Sequence, residues 1–167
     1  SFNSKLYKSL QIIKYIRKSK EDITKYEGVK TLKDHSYCVI SFILLSNQDF
    51  VSASWDHTLK VWDLNFNCLK TLIGHQDAVN GLMESNSLLF SISWDTTIRI
   101  WEISEYTCLK VVKGHSLGIY SIIKSSNMTF ATGSADKTIK IWSLKDFNCI
   151  GTLLGHGSFI LSLAIVQ

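Results

Sequence analysis

Histidine, hydroxyl and aspartate side chains recur along this chain in a combination that can either hydrolyse a bond or build a buried hydrogen-bond network. The histidines His35, His75, His115 and His156 recur at nearly equal intervals along the chain. Ser91 and Asp95 follow His75, and equivalent residues follow His35 and His115. A hydrolase needs one such set, and the sequence has no Gly-x-Ser-x-Gly nucleophile motif. The threefold recurrence therefore favours a structural network, and we predict that the protein is not an enzyme.

The sequence also lacks the patterns typical of metal and cofactor sites. The recurring histidines lie far apart in the sequence, whereas a metal site usually has a second ligand a few residues away. His57 is an additional histidine in a predicted turn, where we expect it to be solvated. No Cys-x-x-Cys pair, phosphate-binding loop or dinucleotide fingerprint occurs. We therefore predict neither a metal site nor a cofactor.

Three of the four cysteines occupy one position of a repeat. Cys68, Cys108 and Cys149 recur at the same interval as the histidines, each near the start of an apolar run. Successive repeats would hold them apart, so we predict reduced packing residues rather than disulfides. Reduced cysteines point to a cytoplasmic or nuclear protein. No apolar run in the sequence reaches the length of a membrane span.

The segments that carry the polar residues repeat as well. Residues 91–101 read as the end of an alternating strand, a tight turn at Asp95-Thr96 and a second strand that ends at Trp101. The same pattern occupies residues 52–62 and 132–142. A glycine precedes each recurring histidine except His35, which follows Asp34. A period of about 40 residues with these landmarks predicts a repeated β-sheet unit.

With these landmarks in register, residues 28–167 resemble the WD40, or WD-repeat, β-propeller family. The resemblance implies an all-β fold of four-stranded blades, with repeats at about residues 35–74, 75–114 and 115–155 and the start of a fourth at 156. Residues 27–167 would then form a partial propeller, with one strand before the three full repeats and one after them. Three blades cannot close a ring, so we expect the missing blades to come from a longer chain or from another chain.

Apolar alternation and the turn residues between the apolar runs predict the strand boundaries. The predicted strands of the three repeats are 39–45, 50–54, 58–63 and 68–73; 79–83, 88–93, 98–103 and 108–112; and 119–124, 129–134, 138–144 and 149–154. Flanking strands are predicted at 29–32 and 160–166.

The family resemblance also implies how the recurring polar residues are joined. In a WD repeat the aspartate accepts from the histidine ring, the histidine contacts a hydroxyl, and the hydroxyl contacts the indole of the tryptophan. The matching tetrads are His35, Ser52, Asp56 and Trp62; His75, Ser91, Asp95 and Trp101; and His115, Thr132, Asp136 and Trp142. His156 has no matching aspartate within the sequence. Donors and acceptors balance in such a tetrad, and a buried partner left unpaired costs about 1–3 kcal/mol.

Residues 1–26 differ from the repeats in pattern and charge. Seven lysines and arginines stand against two acidic residues there, whereas the remainder carries eleven against twelve. Apolar residues spaced by three or four predict an amphipathic helix over about residues 4–20. This basic segment could pack on the propeller or on a neighbouring domain, bind nucleic acid or anionic lipid, or serve as a linker that folds with a partner.

The function that follows from the resemblance is a non-enzymatic scaffold or adaptor for proteins or peptides within a larger intracellular complex. In this family, partners usually bind the face around the central channel. The candidate partner-binding residues there are Trp55, Trp94, Asn80, Tyr120, Phe159 and Leu161. Tryptophan and tyrosine are common interface anchors, although Trp55 and Trp94 could instead shield the tetrad turns. The alternative is an RNA- or ribonucleoprotein-associated subunit that docks through its basic N-terminal helix.

Overall fold

The computed structural model describes residues 10–13 and 29–166, and in these ranges the chain consists of strands, turns and loops without a helix. The strands, in chain order, are β1 Leu10–Ile13, β2 Val29–Leu32, β3 Val39–Leu44, β4 Phe50–Ser54, β5 Leu59–Trp62, β6 Cys68–Leu72, β7 Val79–Ser85, β8 Leu88–Ser93, β9 Thr97–Glu102, β10 Thr107–Lys113, β11 Ile119–Lys124, β12 Thr129–Ser134, β13 Ile139–Ser143 and β14 Cys149–Leu153. The predicted strands of the three repeats all exist, and their bounds differ only slightly from the prediction.

The strands form three four-stranded sheets, which we call blades 1, 2 and 3. Blade 1 contains β3 to β6, blade 2 contains β7 to β10, and blade 3 contains β11 to β14. Within each blade every strand pairs antiparallel with the next strand in sequence, as short turns require. The all-β fold class and the repeated four-stranded blades predicted from the sequence are therefore confirmed.

The strand predicted at residues 160–166 does not form a ladder. These residues follow β14 without strand pairing, because a strand requires a hydrogen-bonded neighbour and no described strand lies beside them. Ile160 nevertheless is 7% exposed, and its N–H donates to the carbonyl of Ser134 at 3.0 Å. The segment thus begins against blade 3 as the first strand of a further blade would, but it has no other strands to pair with among the described residues.

The predicted N-terminal helix is wrong at residues 10–13, which form β1. This strand pairs antiparallel with β2, placing Leu10 opposite Leu32 and Ile13 opposite Val29. Two adjacent β-branched isoleucines favour a strand, and the edge of β2 offers the backbone partners that a strand needs. The rest of the predicted helix and the boundary expected near residue 26 lie outside the described residues.

The apolar core lies between neighbouring blades. One cluster joins Val51 and Leu59 of blade 1 to Leu89 and Trp101 of blade 2. A second cluster joins blade 2 to Phe130, Trp142 and other residues of blade 3. Both faces of blade 2 are therefore covered, which explains why five of the six residues of β8 are buried rather than every second one.

The fourth strands of blades 1 and 2 also contact the next blade, through lysines. Lys70 on β6 donates to the carbonyl of Glu105 at 2.6 Å, and Lys110 on β10 donates to that of Asp146 at 2.8 Å. The two lysines occupy equivalent positions in successive repeats, and so do their two acceptors. Each blade is thus positioned on its neighbour by the same outer contact as well as by the apolar core.

Gly114, which precedes a tetrad histidine, gives space to a core side chain. A Cβ at this position would overlap the Cη2 atom of Trp142, which is 2% exposed. We expect Gly114→Ala to destabilise the fold by roughly 1–3 kcal/mol, since overpacking displaces the indole. Gly157→Ala is the matched control, because a Cβ there meets nothing within 4 Å. Thermal unfolding checks this, and equal melting temperatures for the two variants would contradict it.

Candidate functional site

The recurring polar residues of blade 2 meet in one hydrogen-bonded chain. His75 precedes β7, and its Nδ1 lies 2.8 Å from Oδ2 of Asp95 in the β8–β9 turn. Its Nε2 lies 2.8 Å from the Ser91 hydroxyl on β8, and that hydroxyl also accepts from the Trp101 indole at 2.9 Å. An ionised Asp95 accepts only, so Nδ1 carries the histidine proton and Ser91 donates to Nε2. Each of the four side chains in this tetrad therefore has a hydrogen-bond partner.

Blades 1 and 3 contain the same arrangement. The His–Asp and His–hydroxyl distances are 2.8 Å in both blades. The indoles donate to Ser52 and Thr132 at 2.8 and 2.7 Å. The structure thus brings together all twelve residues of the tetrads inferred from the sequence. His156, which has no matching aspartate, is exposed.

Two further residues of each turn belong to the network and were missed in the sequence. Thr97 donates to Oδ1 of Asp95 at 2.6 Å, and the Ser93 hydroxyl accepts the backbone N–H of Asp95 at 3.0 Å. The equivalent residues are Thr58 and Thr138, and Ser54 and Ser134. A hydroxyl residue two positions before and after every tetrad aspartate was the signal that could have found them.

Burial and hydrogen bonding set the charges in the tetrads. Burial alone would raise the pKa of Asp95, but the hydrogen bonds from His75 and Thr97, together with the backbone N–H of Gln76, lower this pKa below its usual value. The pKa values of Asp56 and Asp136 are lowered in the same way. Burial lowers the pKa of His75, against the opposing effect of Asp95. At neutral pH the blade 2 network therefore pairs a carboxylate with a neutral imidazole.

This arrangement is unsuited to catalysis on an external substrate. The hydroxyl residues Ser52, Ser91 and Thr132 are 0% exposed, and each is already engaged with an imidazole and an indole. A nucleophile has to reach the reacting atom of its substrate. The described residues also contain no group of three or more side chains able to hold a metal ion. The tetrads can fix the turns that contain their aspartates, but they have no free hydroxyl to react with a substrate.

Above the tetrads, five aromatic rings lie in a continuous row that we call the aromatic ladder. Its members, in spatial order, are Tyr37, Trp55, Trp94, Tyr120 and Phe159, with successive ring centroids 6.0, 5.2, 5.8 and 6.2 Å apart. The ladder crosses from blade 1 to the segment after blade 3. Tyr37 and Phe159 at its ends are 51% and 52% exposed. Four of the six predicted partner-binding residues are in the ladder, and Tyr37 was missed.

The other two predicted partner-binding residues lie beside the ladder. Asn80 uses its amide to donate to the carbonyl of Ile119 at 2.9 Å, so it helps to join blades 2 and 3. Leu161 is 62% exposed. Gly118 lies beneath the Trp94 ring, where a Cβ would come within 3.0 Å of Cδ1. The absence of a side chain at Gly118 thus lets Trp94 reach across to blade 3.

A cavity of about 510 Å³ opens at the opposite end of blades 1 and 2. It is lined by the turns after β3 and β9 and by the β7–β8 turn. Tyr106 donates to the carboxylate of Asp49 at 2.6 Å, and Asn47 donates to both residues at 2.9 Å. Burial and the neighbouring Asp49 raise the pKa of Tyr106. These hydrogen bonds hold the turns of the two blades together, and the polar groups that line the cavity here are already paired with one another.

Comparison with known proteins places the repeats in a family. The family described as "WD domain, G-beta repeat" matches residues 27–63, 66–102 and 106–143, more than half of the chain. The chain belongs to the WD40 family. The three matches begin shortly before β2, β6 and β10 and end with the third strand of the following blade, so each WD40 match spans parts of two sheets.

Individual WD40 relatives match over shorter stretches. A ribosome biogenesis protein WDR12 homolog from Drosophila mojavensis is 37% identical over 59 residues, which cover 33% of this chain and 14% of the relative. F-box/WD repeat-containing protein 7 from Drosophila melanogaster is 47% identical over 51 residues, covering 30% and 4%. A WDR12 homolog from Culex quinquefasciatus is 40% identical over 43 residues, covering 26% and 10%. The matched stretches thus span a small part of each relative. No helix of the described residues is long and apolar enough to cross a membrane.

Removing the acceptor of one tetrad tests the contribution of the network to WD40 blade stability. We expect Asp95→Ala to lower the free energy of unfolding by roughly 1–3 kcal/mol, because it leaves the His75 ring without its partner. Lys145→Ala, on an exposed turn, should change it by close to zero. Thermal melts of both variants make the comparison, and a shared melting temperature would contradict this role.

Acid should weaken the same networks. The folded-state pKa values of His75 and His115 lie below 6.5, and those of the three tetrad aspartates lie below 3.8. The unfolded chain therefore binds more protons, and stability is lost as the pH falls, first below about 6.5 and again below about 3.8. We expect the melting temperature to fall between about pH 7.5 and about pH 5, and further at lower pH. A melting temperature that stays constant or rises over this range would count against buried neutral histidines.

Proposed function

We propose that this WD40 chain is a non-enzymatic scaffold that binds partner proteins within a larger intracellular complex, with the aromatic ladder as its contact surface. The ladder carries the proposal because it places five aromatic side chains in one row on the turn side of three blades. Aromatic side chains combine large apolar area with few rotatable bonds, which makes them common interface anchors. The tetrad side chains, by contrast, are buried and serve the fold.

Trp55 and Trp94 are better explained as anchors than as shields of the tetrad turns. Blade 3 has Ala135 at the equivalent position, where it is 8% exposed. The turn around Ala135 nevertheless keeps the full set of hydrogen bonds to Asp136. A tryptophan is therefore unnecessary for the turn, and its additional apolar surface suggests a partner.

The relatives support a role in an assembly. Their names refer to ribosome biogenesis and to an F-box/WD protein. We extend only the general feature to this chain, namely that its blades present a surface to other proteins. The four cysteines are free thiols, which agrees with a cytoplasmic or nuclear location, where reduced thiols persist.

The decisive experiment removes the two tryptophans separately. We expect Trp55→Ala and Trp94→Ala each to weaken binding of the native partner by roughly 2 kcal/mol, with melting temperatures close to that of the unchanged protein. Lys145→Ala serves as the surface control. Calorimetric titration with the partner, alongside melts of the same variants, gives both quantities. Normal binding by both folded variants would place the interface elsewhere, and unfolding of both would make the tryptophans core residues.

A second candidate function is docking of RNA or a ribonucleoprotein through residues 1–26. Its support is the excess of seven basic over two acidic residues in this segment and the ribosome biogenesis proteins among the relatives. Phosphate contacts make such binding fall steeply with salt, whereas aromatic contacts depend little on it. Titration of binding against salt, with and without residues 1–26, separates the two functions. Salt-insensitive binding that survives the deletion would eliminate the nucleic-acid candidate.

A further inference from the structure

The aromatic ladder has hydrogen-bond donors without acceptors. The indole Nε1 atoms of Trp55 and Trp94 are buried, and neither has a hydrogen-bond partner. An unpaired buried N–H costs about 1–3 kcal/mol. Their two rings are adjacent, with centroids 5.2 Å apart, so the two unpaired donors occupy the middle of the ladder. A ligand that supplies acceptors at this point would relieve both.

Three backbone N–H groups beside the ladder are already paired. The N–H groups of Trp55, Trp94 and Ala135 donate to the carbonyls of Cys38, Ala78 and Gly118 at 2.9, 3.0 and 2.9 Å. An added β-strand needs a free backbone edge, which these paired N–H groups do not offer, and its own N–H donors would not satisfy two indoles that need acceptors. The complementary ligand is therefore rich in carbonyls, poor in N–H groups and apolar between them.

The stacking of the rings argues against a cage for a methylated cation. Such a cage needs several ring faces open toward one point. Here Trp55 stacks against Tyr37 at 22° and Tyr120 stacks against Phe159 at 14°, so neighbouring rings cover these faces. The ladder therefore offers ring edges along a line rather than faces around a centre.

A polyproline II segment has the required features. Proline lacks the backbone N–H, and the polyproline II helix makes no internal hydrogen bonds, so its carbonyls are free to accept. It rises about 3.1 Å per residue, and two residues therefore advance by about the 5.2–6.2 Å that separates successive rings. The four ring-to-ring steps correspond to about eight residues. The 167 residues contain no proline, so they cannot supply such a segment themselves.

We propose that the aromatic ladder binds a proline-rich segment of a partner protein in the polyproline II conformation, and that the indoles of Trp55 and Trp94 turn on binding so that both N–H groups donate to its carbonyls. This inference rests on the proposed scaffold function and specifies the chemistry of the partner. Apolar contact with the ring edges and two indole–carbonyl hydrogen bonds form the interface. The two indoles have to rotate because both of their nitrogens are covered in the free protein.

The test uses an acetylated and amidated ten-proline peptide with a fluorescent label, and a glycine–serine peptide of the same length as the control ligand. The protein should bind the proline peptide saturably and the control peptide at least roughly tenfold more weakly, the size of effect that one to two hydrogen bonds produce. The indole N–H resonances of Trp55 and Trp94 should shift on titration, whereas those of Trp62, Trp101 and Trp142 should stay in place because they donate within the tetrads.

The variants Trp55→Phe and Trp94→Phe keep an aromatic ring but remove the N–H donor together with part of the apolar area of the indole. We expect them to melt near the temperature of the unchanged protein and to bind the proline peptide several-fold to roughly tenfold more weakly. Lys145→Ala should bind normally. Absence of saturable binding, or equal binding by the phenylalanine variants, would overturn the inference. If Trp55→Ala still weakened the native partner in that case, the scaffold surface would stand and only its ligand chemistry would be wrong.

Discussion

The buried bond between an imidazole and a carboxylate is the interaction on which each blade depends. It joins a loop residue to a turn well beyond the intervening strands, as His75 is joined to Asp95. The turn residue that follows the aspartate has a positive φ in every blade, 69° at His57, 72° at Thr96 and 69° at Lys137. A β-branched residue such as Thr96 rarely adopts this conformation. The carboxylate, held by the histidine, a threonine and two backbone N–H groups, fixes the turn despite that cost.

The tryptophan transmits this local order to the neighbouring blade. Trp101 donates to Ser91 within blade 2, while its ring packs in the apolar cluster shared with blade 1. Trp142 has the same double role between blades 3 and 2. A tetrad therefore sets the position of a large core side chain, and loss of one polar bond loosens the contact between two blades. Stability in this fold is consequently a property of adjacent repeats together.

The sequence predicted those features whose residue types repeat at one period. The tetrads and blade strands follow from landmarks that recur once in every repeat. The same signal at Phe66, Tyr106 and Phe147 could have revealed the turn aromatics, of which Tyr106 and Phe147 pack against the clusters between blades. Four members of the aromatic ladder were predicted as separate residues, but the row itself was not. Tyr37, Tyr120 and Phe159 occupy different repeat positions, and the row forms only through blade packing. A helix was wrongly predicted at residues 10–13 because apolar residues spaced by three and four can also include a short β-branched strand. Pairing with β2 stabilises that strand.

The division between repeated and varying positions separates the residues that stabilise the turns from those whose side chains the turns do not need. The residue before each tetrad aspartate is Trp55, Trp94 or Ala135, yet its backbone N–H makes the same bond to the loop before the inner strand in all three blades. The backbone is therefore indifferent to the side chain at this position. A large aromatic residue can be placed there without a change in the turn, and the rigid turn then holds it with little further loss of entropy on binding. Because the tetrads immobilise the backbone first, the ladder residues keep their backbone positions while the two indoles turn, which is what the proposed binding of a ligand of regular rise requires.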